Sequence, residues 1–281
     1  MEEVFEPTGR TVVVSPVDIG TSQGGIILPE SATPARRGTF VAAGPESAIN
    51  ASIGCMVYYG DQCQYSLPNG HKLLIWDGWD LVKKGDGSLV AAPDHIIVTS
   101  DERFNDTMQY GTLTLYLEHQ EWNNVKNVKR KLEVFAVSDN VADKISPGEM
   151  VFVHFDAMLL SVPFDVDGHT CYKVCCGHKH HMGDVYAVER DGKVVPLFGW
   201  ALVEPKDETL PERIVNGIVR PEESRKSETR GTVRYIADHD INPRIKPGAQ
   251  VLFHKDNAFL NDFNGEKLYT MKIDQIQMIL E

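Results

Sequence analysis

The sequence predicts an all-β protein built as three tandem small β-barrels. Three observations lead there. Apolar residues rarely recur at the 3.6-residue spacing of an amphipathic helix. Short alternating or solid apolar runs recur instead, bounded by Gly, Pro and Asp. One order of strand and turn signals also appears three times along the 281 residues.

The recurring order opens with an apolar strand such as Thr11-Val12-Val13-Val14 and crosses a polar loop. A second strand follows: Arg37-Gly38-Thr39-Phe40-Val41-Ala42, then Lys131-Leu132-Glu133-Val134-Phe135-Ala136, then Arg230-Gly231-Thr232-Val233-Arg234-Tyr235. Next come a turn and a third strand. These read Ser52-Ile53-Gly54-Cys55-Met56-Val57-Tyr58, Ser146-Pro147-Gly148-Glu149-Met150-Val151-Phe152 and Lys246-Pro247-Gly248-Ala249-Gln250-Val251-Leu252. The closing strands are read as Asp80-Leu81-Val82, Trp200-Ala201-Leu202-Val203 and Ile276-Gln277-Met278-Ile279-Leu280. The turn glycines are roughly 95–100 residues apart, a domain-sized period. Polar joints at Lys83 to Ser88 and Glu204 to Glu208 suggest domains at 1–88, 89–206 and 207–281.

Composition narrows the function. With 28 Lys and Arg against 40 Asp and Glu, the formal charge is −12, and the pI is near 5.3. That balance argues against a nucleic-acid binder, which needs a basic face to neutralise phosphates. The first residues carry neither a basic start nor an apolar run, so no signal peptide is expected. No apolar stretch approaches membrane-spanning length. Five cysteines, an odd number, fit a reducing compartment better than a disulfide framework. A cytoplasmic location is the expectation.

Residues from about Arg10 to Lys84 carry further signals. They include Gly24-Gly25-Ile26-Ile27-Leu28-Pro29, then Arg37-Gly38-Thr39-Phe40-Val41-Ala42-Ala43-Gly44-Pro45, and Ile53-Gly54-Cys55-Met56-Val57-Tyr58-Tyr59-Gly60. This stretch resembles the GroES-like co-chaperonins, the ten-kilodalton lids of the chaperonin cage. The resemblance implies GroES-like barrels, a mobile loop, and docking of its apolar tripeptide onto a chaperonin ring. Gly24, Gly25, Ile26, Ile27 and Leu28 are then the binding residues. The composition of the loop agrees. Asp18 to Arg36 is rich in Gly, Ser, Thr and Pro, and its apolar cluster sits in a polar setting.

The other two copies depart from this pattern. The second loop, Thr99 to Lys129, contains Tyr110-Gly111-Thr112-Leu113-Thr114-Leu115-Tyr116, which reads as a strand. The third is read as Pro221 to Thr229, with no apolar tripeptide. Only the first copy is therefore expected to dock. None has a long hairpin between the second strand and the turn, which resembles phage-encoded co-chaperonins. Three copies per chain do not divide a seven-membered ring. The alternative is a phage structural protein, a capsid decoration or head-associated component in the virion, with capsid proteins as partners. A homo-oligomer is expected on either reading.

One segment suggests a metal. His169 to His181 holds three Cys and four His. Thiolate and imidazole are ligands that zinc prefers. Cys171, Cys175, Cys176, His178 and His180 are the candidate set for a structural zinc, although their spacing matches no standard finger. No catalytic motif is found. There is no G-x-G-x-x-G, P-loop, G-x-S-x-G or H-E-x-x-H, so no enzyme is expected.

Overall fold

The computed structural model describes residues 6–17, 22–23, 26–27, 36–60, 64–100, 107–110, 113–116, 128–177, 183–210, 213–215, 218–220, 223–238 and 241–280. The protein is all-β. The only α-helix among the described residues is α1 (Phe155–Leu160). The chain divides into two compact units, Met1–Val185 and Tyr186–Glu281.

The first unit begins with β1 (Val12–Pro16), β2 (Ser22–Gln23), β3 (Ile26–Ile27), β4 (Arg36–Ala43) and β5 (Met56–Tyr59). It continues through β6 (Gln64–Ser66), β7 (Lys72–Leu74), β8 (Trp79–Lys83), β9 (Leu89–Ala91) and β10 (His95–Thr99). Then come β11 (Thr107–Tyr110), β12 (Leu113–Tyr116), β13 (Lys131–Val137), β14 (Met150–Val153), β15 (Phe164–Val166) and β16 (His169–Cys175). One hydrogen-bonded path runs β15-β16-β10-β13-β9-β8-β5-β4-β1-β7-β6. β14 adds to β13.

The second unit holds β17 (Val185–Arg190), paired with β18 (Lys193–Pro196). It also holds β19 (Trp200–Leu210), β20 (Arg213–Val215), β21 (Ile218–Arg220) and β22 (Glu223–Ile236). β23 (Gln250–Phe253), β24 (Phe259–Phe263), β25 (Glu266–Lys272) and β26 (Ile276–Leu280) complete it. Six of these form a sheet in the order β24-β25-β19-β22-β23-β26. Its ends, β24 and β26, do not pair with each other, so the expected closed barrel is not what the described ladders form.

One ladder arrangement occurs three times. β1, β10 and β19 each pair antiparallel with β4, β13 and β22, respectively. Each pairing has a register shift at the matching point, Val13/Val14, Ile97/Val98 and Leu202/Val203. The other edge of each opening strand takes a hairpin strand: β7, β16 and β25. The turn before each third strand is also shared. Gly54, Gly148 and Gly248 have φ of 93°, 85° and 90°, a region that favours glycine. Their N–H groups donate to Phe40, Val134 and Val233 carbonyls at 3.0, 2.7 and 2.8 Å.

The solid apolar runs of the sequence have a physical cause. β5 and β8 are covered on both faces, so both sides of the pleat must be apolar. Val57, Tyr59, Trp79 and Val82 enter a core with Val12, Val14, Phe40 and Leu74. Tyr58 and Leu81 enter a second core with Ala91, Ile97, Ala136, Phe164 and Cys171. A register shift at Tyr58/Tyr59 lets Asp80 leave the alternation. Its carboxylate pairs with Lys173. This second core draws on strands from both sides of the joint expected at Lys83 to Ser88. That joint is an exposed turn, with Lys84 N–H donating to Ser88 O at 2.9 Å and Gly87 N–H to Lys84 O at 2.9 Å. It links the paired strands β8 and β9. The other expected joint, Glu204 to Glu208, lies inside β19, where Pro205 pairs with Gly231 and Glu208 with Arg225. Charge and a proline read as linker, but main-chain ladder bonds do not require apolar side chains.

Trp200-Ala201-Leu202-Val203 is likewise not a closing strand of the middle segment. It opens the last sheet, pairing with β22 on one edge and β25 on the other. Tyr110 to Tyr116 is not one strand: β11 and β12 form a hairpin, Tyr110 opposite Leu113, with Gly111 between them in the chain.

Candidate docking excursions

The candidate site is an excursion between an opening strand and its partner. In the first ladder, Val17 N–H donates to Arg37 O at 2.9 Å and closes the base. Pro16 stands opposite Gly38 there. The strands approach so closely that a Cβ on Gly38 would lie 2.8 Å from Ser15 O. The Arg37-Gly38 pair of the sequence signature is thus explained by a backbone approach that only glycine fits.

Beyond that base, Ser22–Gln23 pairs with Ile26–Ile27 in a separate two-stranded sheet. Ile26 and Ile27 therefore belong to a short hairpin and not to the main ladder. Gly24, Gly25 and Leu28 lie outside the described residues.

The last ladder has the same base. Pro205 stands opposite Gly231, and a Cβ on Gly231 would lie 2.4 Å from Glu204 O. Between Pro205/Gly231 and Asp207/Lys226 the partner strand gains three residues over β19, a large bulge. Ser227 is fully buried there, and its Oγ accepts from Arg230 N–H at 3.1 Å and Thr229 N–H at 3.4 Å. Past the bulge the two strands continue as a ribbon to Leu210 opposite Glu223. Register places Asp207 opposite Lys226 and Glu208 opposite Arg225.

A second hairpin follows, with Ile214 opposite Val219 and Val215 opposite Ile218. The third loop is therefore not Pro221 to Thr229, because β22 begins at Glu223. The excursion is residues 211–222, and it carries Ile214-Val215-Asn216-Gly217-Ile218-Val219. The sequence signal for it is Asn216-Gly217 between apolar pairs, a strong short-range hairpin cue.

Residues 193–280 match the family model of the chaperonin 10 Kd subunit. The chain carries a GroES-like co-chaperonin domain. It coincides with the second unit and starts before 207, because β19 is its opening strand. The sequence signature is clearest in the first ladder, whereas the family match falls on the last. No curated protein matches the chain. No helix among the described residues is long and apolar enough to cross a membrane.

Cys171 and Cys175 are held apart by their strand. Cys171 and Cys175 both lie on β16, four residues apart. At strand rise that is about 13 Å, too far for one zinc whose thiolates sit about 2.3 Å from the metal. Cys171 is buried in the second core, and burial pushes its thiol up to about 12. Burial also raises Cys176 and Cys175. Buried thiols kept protonated are poor ligands. Among the described residues no group of three or more His, Cys, Asp or Glu could hold a metal. His178 and His180 lie outside the described residues. Their segment is pinched at its base, where Asp184 N–H donates to Cys175 O at 2.7 Å.

Proposed function

We propose that the protein is a co-chaperonin-like binding protein that docks a chaperonin ring through apolar residues on hairpins projecting from its ladders. The single observation that carries this reading is the chaperonin 10 Kd match over residues 193–280. The threefold recurrence of ladder, register shift and turn glycine supports reading the chain as three GroES-like units, two of them sharing a core. The role is binding rather than catalysis.

Two docking elements are assigned. Gly24, Gly25, Ile26, Ile27 and Leu28 form the first, in the chain segment between β1 and β4. Ile214, Val215, Ile218 and Val219 form the second, in the matched domain. Short apolar contacts are weak singly, so binding draws its strength from several copies on a homo-oligomer facing a multivalent ring.

The test is a pull-down of purified chaperonin rings with nucleotide, comparing two variants. One replaces Ile26, Ile27 and Leu28 with Ser; the other replaces Ile214, Val215, Ile218 and Val219 with Ser. Each variant should keep its fold and lose ring binding. Undiminished binding by both variants contradicts the assignment. A wild-type chain that binds no ring but assembles with capsid proteins supports the structural, virion alternative.

A further inference from the structure

We infer that the outer edge of β26 takes up the segment leading into β1 from a second copy of this chain, so that copies join head to tail. A junction of the same kind occurs twice inside the chain. β9 leads into β10 and pairs antiparallel with β8, Leu81 opposite Ala91 and Val82 opposite Val90. β18 leads into β19 and pairs antiparallel with β17, Ala187 opposite Pro196 and Val188 opposite Val195. One residue further on, Ala92 N–H donates to Asp80 O at 3.0 Å and Leu197 N–H to Tyr186 O at 2.9 Å. A turn then closes onto the opening strand. His95 N–H donates to Ala92 O at 3.1 Å, and Trp200 N–H to Leu197 O at 3.0 Å.

Before β1 the same turn stands without the strand pair. Thr11 Oγ1 donates to Thr8 O at 2.7 Å. Thr11 O accepts from Gly44 N–H at 2.8 Å, just as His95 O accepts from Ser138 N–H and Trp200 O from Ala237 N–H. Thr8 therefore corresponds to Ala92 and Leu197, and Pro7 to Ala91 and Pro196. Glu6, Pro7 and Thr8 belong to no ladder among the described residues. Val4 and Phe5 precede them in the sequence, as apolar as Leu89-Val90 and Val194-Val195.

The matching acceptor is β26. It pairs with β23 as β8 pairs with β5: Met278 stands opposite Leu252 as Leu81 stands opposite Tyr58, and a register shift follows in both. β8 carries β9 on its other edge, whereas β26 carries no further strand among the described residues. Burial records the difference. Leu81 and Ala187 are fully buried at the paired position, but Met278 is 56% exposed. An edge of unpaired main-chain groups is a template for another strand. Carrying the internal register over puts Pro7 opposite Met278 and Glu6 opposite Ile279, with Thr8 N–H donating to Gln277 O. Pro196 shows that this ladder position accepts proline. The chain thus has one lead segment without an acceptor and one acceptor edge without a lead. The two internal junctions are closed by short local turns, at residues 84–88 and 191–192, and the third is left to a second copy. Such a contact is heterologous, so copies close into a ring or extend as a filament.

The test is disulfide trapping between two single variants of the full chain, with no chaperonin present. Pro7→Cys mixed with Met278→Cys under mild oxidation should give a cross-linked dimer on a non-reducing gel, because directly opposed residues bring their Cβ atoms to about 4.5–5.5 Å. Neither variant alone should cross-link beyond the wild-type background. Sedimentation velocity of the wild-type chain should show assembly that rises with concentration. Met278→Glu, a change at an exposed position, should raise the assembly midpoint about tenfold or more. A mixture that gives no cross-link overturns the proposal, as does a Pro7→Cys, Met278→Cys double variant that cross-links only within one chain. An equal dimer yield from Met278→Cys alone overturns the head-to-tail order. With no chaperonin present, failure here leaves the docking assignment standing.

Discussion

Leu81→Ala should loosen the first two ladders together. Leu81 is fully buried on β8, in the core shared with Ala91, Ile97, Ala136 and Phe164. Its neighbour Val82 belongs to the other core. The lost isopropyl group is worth about 2.4 kcal/mol at about 0.8 kcal/mol per carbon. Incomplete collapse of the cavity adds to this, for a total of about 3–4 kcal/mol, inside the range of about 2–5 for buried Leu→Ala changes. The assay is hydrogen exchange read by mass spectrometry, paired with a urea titration. Peptides covering β5 and β8 and those covering β10 and β13 should lose protection by the same free energy. A loss below about 1 kcal/mol, or one confined to residues 12–83, would refute the shared core.

Four further outcomes follow from the geometry. Cleavage within the exposed turn at residues 84–88 should leave both halves associated in size-exclusion chromatography, because the second core crosses the cut; separate folded fragments would contradict this. Gly231→Ala places a Cβ 2.4 Å from Glu204 O, so it should cost about 1–3 kcal/mol in thermal unfolding of the second unit, while Gly217→Ala should leave this base intact. Burial, then the Lys173 charge, lowers the pKa of His95 below its ordinary 6.5, so the unfolded chain binds a proton first; stability should be complete above pH 6.5 and fall as pH drops below it, and His95→Gln should flatten that slope in urea titrations from pH 7 to 5. Cys171, with its thiol near 12, should resist alkylation in the native protein, and Cys171→Ser should leave metal content by elemental analysis unchanged; loss of bound zinc in that variant would restore Cys171 as a ligand.

Much of the fold was legible because strand periodicity and turn glycines are local signals. Gly54, Gly148 and Gly248 marked the three turns, and each adopts the positive φ that its position demands. The runs Met56 to Tyr59 and Met150 to Val153 announced strands before any pairing was known. What the sequence hid was partnership. Trp200 to Val203 is an apolar strand on any reading, and only the ladder shows that it opens a sheet rather than closing one. Lys83 to Ser88 looks like a linker because a tight turn and a linker share Gly, Asp and Ser.

The residues proposed for docking are half visible for the same reason. Ile26 and Ile27 stand out against a polar loop. Ile214 to Val219 do not, because the polar strand from Glu223 onward resembles a loop itself. For the Cys/His cluster the strand matters as well. Closeness in sequence suggests a site, but an extended strand carries residues 171 and 175 far apart.

Chaperonin docking is tested by native mass spectrometry of the full chain mixed with purified chaperonin rings and nucleotide. A complex of rings with several copies of this chain is expected, lost when Ile26, Ile27 and Leu28, or Ile214, Val215, Ile218 and Val219, become Ser. Rings that remain bare at saturating wild-type chain would contradict docking.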